Sequence, residues 1–126
     1  MEYNFINKTI LVVEDEESSR FLFEKTLKKT KADVFYVNNG AAAINLLKGK
    51  PDIDVVLMDI RLPVMDGFVA THLIKELNPQ LPVIIQTAYE INAAREEARK
   101  SGCDDFITKP IHTDALLSML QKYLNN

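Results

Sequence analysis

The chain has 126 residues, 47% of them hydrophobic, which suits one domain able to bury a core without disulfides or a structural metal. With 15 Lys and Arg against 18 Asp and Glu the net charge is −3, and no basic run interleaved with aromatics occurs, which argues against direct nucleic-acid binding. The single Cys103 excludes an internal disulfide and no apolar run approaches a membrane span, so a soluble cytoplasmic chain without membrane association is expected.

The N-terminal MEYNFINK lacks the basic and apolar regions of a secretion signal. TILVV (9–13) reads as a first strand, followed by EDEESS and a helix over about 17–30 that carries Leu22, Phe23 and Leu27 inward. Lys28, Lys29 and Lys31 lie at the end of that helix, where cations favour the dipole. DVFYV (33–37) is the second strand, and the helix over about 40–48 turns Ala43, Ile44 and Leu47 inward. DVVLM (54–58) is the third strand, and Asp59 follows it. In the next stretch, RLPVMDG, Asp66 is suited to cap a helix and Gly67 to let the chain enter it. The third helix has the clearest period, Ala70, Leu73, Ile74 and Leu77. PVIIQ (82–86) is the fourth strand. The fourth helix, INAAREEARK (91–100), offers only Ile91, Ala94 and Ala98 as an inward stripe and is expected to be the least firmly held. Gly102 suits its C-terminal cap. DFIT (105–108) is the fifth strand, and the last helix repeats the period with Leu116, Leu117, Leu120 and Leu124.

The runs at 10–13, 55–58 and 83–85 are continuously apolar rather than alternating, as strands covered on both faces should be. Five strand–helix repeats predict one α/β doubly wound domain over residues 1–126, with a parallel sheet and right-handed crossovers. Ligands of such sheets bind beyond the carboxyl ends of the strands. Those ends here are Glu14 and Asp15, Asp59, Thr87, and Lys109 before Pro110. Three gathered carboxylates repel one another and lose water unless a cation neutralises them. Oxygen ligands in small number favour Mg2+ over Ca2+, with room left for waters and a phosphate oxygen. Lys109 and Thr87 add an ammonium and a hydroxyl suited to phosphoryl oxygens. The set points to phosphoryl transfer onto a carboxylate nucleophile.

These residues, Glu14-Asp15 after ILVV, Asp59 in LMDIRLPVMDG, Thr87-Ala88 in QTA, and DDFITKP ending in Lys109-Pro110, resemble the receiver domain of two-component response regulators over roughly residues 7 to 124. The resemblance implies a flavodoxin-like fold with strand order 2-1-3-4-5, similar to the chemotaxis regulators, and a cis bond before Pro110. It implies that Asp59 is the phosphoacceptor, attacking a phosphohistidine on a histidine kinase or histidine phosphotransfer protein. Glu14, Asp15 and Asp59, with the backbone carbonyl of Arg61, would hold Mg2+. Thr87 and the amide of Ala88 would contact the phosphoryl oxygens, and Lys109 would pair with them. Thr87 and Phe106 would form the switch, acting on the surface of the fourth helix, fifth strand and fifth helix. Phe106 stands where a tyrosine is often found, so the switch cannot use a phenolic hydrogen bond. Arg61 and Tyr89 would flank the route of hydrolytic water, with Tyr89 shielding the aspartyl phosphate. Such a domain is a signalling phosphoacceptor, catalysing only its own phosphotransfer and dephosphorylation. The downstream partner, a phosphorylation-dependent homodimer, and a setting as a stand-alone regulator or as part of a hybrid kinase all stay open.

Each residue also has a plainer reading. Glu14 and Asp15 could simply begin a helix, Thr87 could be an ordinary strand residue, and Lys109 a solvated lysine. His72 and His112 lack metal-ligand spacing, and Cys103 reads as a small filler. A metal-dependent phosphatase using Asp59 would want an acid two residues on, where Arg61 stands. A flavin phosphate would be repelled by EDEESS. A receiver that only docks would not need an intact acidic site.

Overall fold

The computed structural model describes residues 3–49, 52–88 and 91–124, without the side chains of 91–94. Five strands alternate with five helices: β1 (Thr9–Val13), α1 (Glu17–Lys28), β2 (Asp33–Val37), α2 (Gly40–Gly49), β3 (Val55–Asp59), α3 (Gly67–Leu77), β4 (Val83–Thr87), α4 (Ile91–Ser101), β5 (Asp105–Thr108) and α5 (Thr113–Leu124). All neighbours pair parallel, in the order β2-β1-β3-β4-β5. The chain runs to one side of β1 and then returns to the other, so strand order reverses between β1 and β3, where such a sheet opens a crevice at its carboxyl edge.

Side chains alternate across the sheet and feed two cores, which is why the central strands are apolar at consecutive positions. Ile10, Val12, Leu57 and Ile84 meet Phe23 and Leu27 of α1 and Leu116, Leu120 and Leu124 of α5. Leu11, Val13, Met58 and Ile85 meet Ala43 of α2 and Ala70 and Ile74 of α3.

Helix α1 differs from expectation in two ways. Leu22 is 42% exposed, and the inward positions are Phe23, Thr26 and Leu27. Thr26 thus takes the place that the apolar pattern assigned to Leu22, because Phe21, Leu22 and Phe23 are consecutive and only one of them can lie on the i, i+3, i+4 stripe with Leu27. The helix ends at Lys28, not near residue 30. There the Thr30 hydroxyl donates to the Leu27 carbonyl at 2.6 Å, and Lys31 is left-handed, with φ 67°. In α3 the buried face is Gly67, Ala70, Thr71 and Ile74, and Leu77 is 49% exposed. Strands β3 and β4 each begin one residue later than expected and include Asp59 and Thr87. Asp54 instead anchors β1: its carboxylate accepts from the Thr9 amide at 2.8 Å.

The expected caps are present. Asp66 accepts from the Val69 amide at 3.0 Å, and Gly102, with φ 80°, follows α4. Of the α4 stripe, Ala98 is buried, whereas the Ile91 and Ala94 side chains lie outside the described residues.

Candidate functional site

The parallel register sets the site. Val13 pairs with Met58, so Glu14, one residue on, comes level with Asp59, which pairs with Gln86. Glu14, Asp59 and Gln86 therefore form one row across the carboxyl ends of β1, β3 and β4. Glu14 and Asp59 are buried and Asp15 is exposed, and one carboxylate oxygen from each lies within 4.8 Å of the others.

Helix α3 is brought against the back of Asp59 by a close backbone contact. The Gly67 amide donates to the Ile60 carbonyl at 2.8 Å. A Cβ on Gly67 would lie 2.1 Å from the Asp59 carbonyl oxygen and 2.8 Å from Ile60 Cα. Glycine is required here by that approach, a stronger constraint than the helix start expected of it. The Arg61 amide donates to Asp59 Oδ1 at 3.4 Å, which sets the Arg61 backbone beside the carboxylate.

Lys109 reaches the row from β5. Its backbone amide donates to the Thr87 carbonyl at 2.8 Å, and the Lys109–Pro110 peptide is cis. Its ammonium stands 3.3 Å from Asp59 Oδ1 and 3.9 Å from Glu14 Oε1. Glu14 Oε2 accepts from the Glu16 amide at 3.2 Å, whereas Oε1 is buried with no hydrogen-bond partner among the described residues. Burial first, and the Asp59 charge second, push the Glu14 carboxyl up to about 7. A row with an underbonded carboxylate oxygen and two crowded acids is one short of positive charge. Hard oxygen donors in this number suit Mg2+.

Glu14, Asp15, Asp59, Lys109 and the Arg61 backbone are thus brought together. Thr87 is buried at the end of β4, and exposed Ala88 follows it. Phe106 is 36% exposed on β5. Tyr89 lies outside the described residues. His72 and His112 are exposed, with His72 3.7 Å from Glu76, and neither enters the site. Sequence reasoning missed Gln86, which is fully buried yet leaves both carboxamide atoms without a partner among the described residues. The signal was a polar residue inside the apolar run PVIIQT.

The sequence model of the response regulator receiver domain matches residues 10–121. The chain belongs to that family. Histidine kinase 3 of Arabidopsis thaliana is 31% identical, over 96% of this chain but only 14% of its own length. Among solved structures, the receiver domain of sensor histidine kinase PA1611 from Pseudomonas aeruginosa PAO1, with magnesium coordinated in its active site cleft, is 30% identical with TM-score 0.86. That likeness covers 94% of this receiver and 98% of the other chain. The receiver domain of Saccharomyces cerevisiae Ssk1, solved with the histidine phosphotransfer protein Ypd1, is 26% identical with TM-score 0.87, covering 95% and 90%. The doubly wound 2-1-3-4-5 fold is that of the family, and this receiver is a signalling domain of two-component systems. No helix among its described residues is long and apolar enough to cross a membrane.

Proposed function

We propose that Asp59 accepts the phosphoryl group in this receiver. The observation that carries the assignment is the buried Glu14–Asp59 pair with the Lys109 ammonium 3.3 Å from Asp59. A carboxylate oxygen of Asp59 attacks phosphorus of a phosphoimidazole protonated on its other ring nitrogen, the P–N bond breaks with its electron pair left on nitrogen, and the donor departs as neutral imidazole. The donor is a phosphohistidine on a histidine kinase or a histidine phosphotransfer protein, as supported by the two receivers described above. Lys109 stands ready to pair with the phosphoryl oxygens, and the Thr87 hydroxyl and Ala88 amide complete their contacts. Glu14, Asp15 and Asp59, with the Arg61 carbonyl, would hold Mg2+, which when bound offsets the charge that repels an incoming phosphoryl group.

The domain comprises the whole described fold and catalyses only its own phosphorylation and dephosphorylation. Its readout is the surface of α4, β5 and α5, where Phe106 lies, and there it meets a downstream partner or a second copy of the chain. The half-buried free thiol Cys103 fits a reducing, cytoplasmic setting.

The test is incubation with acetyl phosphate, or with a phosphorylated kinase domain, in Mg2+. Label is expected on wild type, absent from Asp59→Asn and lost in excess chelator. Label that persists in Asp59→Asn overturns the assignment.

A further inference from the structure

Gln86 follows Ile84 by two residues on β4, so its side chain points to the face covered by α1 and α5. There it borders a cavity of about 300 Å3 between the start of α1 and the β5–α5 connection, together with Ser18, Ser19, Leu22, Lys109 and Ile111. The residue is 0% exposed, and neither Oε1 nor Nε2 has a hydrogen-bond partner among the described residues. A leucine or methionine would fill this space without stranding an amide, and a buried polar group without a partner is unfavourable. An unpartnered carboxamide here is suited to a bond made in another state of the site. Lys109 is the cation on the cavity wall, and it is also the residue whose ammonium occupies Asp59 and Glu14. When those carboxylates are taken by a divalent cation, the ammonium is repelled and needs another acceptor.

We propose that Gln86 is a positioning residue for Lys109: its buried carboxamide oxygen accepts the displaced ammonium and so eases cation binding by the carboxylate row. This rests on the proposed assignment of Glu14, Asp15 and Asp59 as Mg2+ ligands.

The test is a double-mutant cycle read by calorimetric Mg2+ titration of the whole chain: wild type, Gln86→Leu, Lys109→Met and the double variant. Gln86→Leu is expected to weaken Mg2+ binding about fivefold beside wild type, and by less than about twofold when Lys109 is already methionine. Gln86→Met replaces the leucine variant if circular dichroism shows that the latter does not fold. An unchanged Mg2+ affinity in the Gln86 variant, or an equal loss in both backgrounds, overturns the role of Gln86. A wild type that does not bind Mg2+ overturns the ligand assignment and this inference with it.

Discussion

Every residue of β1, β3 and β4 is buried, whereas β5 buries only Ile107 and leaves Phe106 36% exposed. The helices differ in the same way. Helix α5 buries Leu116, Leu120 and Leu124, but over residues 95–101 α4 buries only Ala98 and Ser101. Glu96 and Arg99 of α4 spend their charges on one another at the surface. The acids of the site thus stand on the most firmly packed strands, and Lys109 arrives from the loosely packed flank. Lys109, 3.3 Å from Asp59 and bonded through its amide to the Thr87 carbonyl, links the site to the flank that costs least to rearrange, and the proposed readout would run through it.

This contrast can be broken first by deleting core volume on either side. Leu57→Ala, in the buried centre of β3, is expected to cost about 3–4 kcal/mol in urea unfolding. Phe106→Ala is expected to cost under about 1 kcal/mol, since its ring is already partly in water. Equal losses at the two positions would mean that β5 is held as tightly as β3.

A smaller effect, about 2–3 kcal/mol, is expected from Gly67→Ala, because the new methyl meets the Asp59 carbonyl oxygen, a backbone atom that cannot rotate away. The same variant should lose phosphorylation, as α3 is forced back from Asp59. Wild-type stability in this variant would show that the backbone around Asp59 yields easily.

The third expectation concerns pH in metal-free protein. The Glu14 carboxyl is held up to about 7 in the fold, against an ordinary value of 4.5. The folded state therefore binds the extra proton between those values, so this group's contribution to stability is fully present below about pH 4.5 and is lost as pH rises to 7. The loss is on the order of 2 kcal/mol and should vanish in Glu14→Gln. Unfolding curves in chelator at pH 4.5 and 7.5, compared between the two proteins, give the difference directly. A wild type no more pH-sensitive than Glu14→Gln would show that burial and the Asp59 charge do not hold the Glu14 carboxyl up.

Much of this was legible in the sequence because the signals were local. Continuous apolar runs with polar residues at their ends gave the parallel strands and the rim residues Glu14, Asp15, Asp59, Thr87 and Lys109. What escaped depends on contacts between distant segments. Period alone cannot choose among Phe21, Leu22 and Phe23, and packing gave the inward place to Thr26. Gly67 reads as a helix start until α3 is seen against the Asp59 carbonyl. Gln86 reads as the end of an apolar run until the register sets it in the row with Asp59. Asp104 reads as half of an acidic pair in DDFITKP. It proves to tie the start of β5 to two elements, accepting from the Val83 amide of β4 and from Lys75 of α3, each at 2.8 Å.

The most direct test is hydrogen exchange on wild type and Asp59→Asn, each with and without beryllofluoride and Mg2+. Protection in wild type should change most over residues 95–112, with β1 and β3 left as they were, and Asp59→Asn should show no change at all. Changes concentrated in residues 17–49, or the same changes in Asp59→Asn, would contradict the account: the first by moving the response away from the loosely packed flank, the second by removing Asp59 as its source.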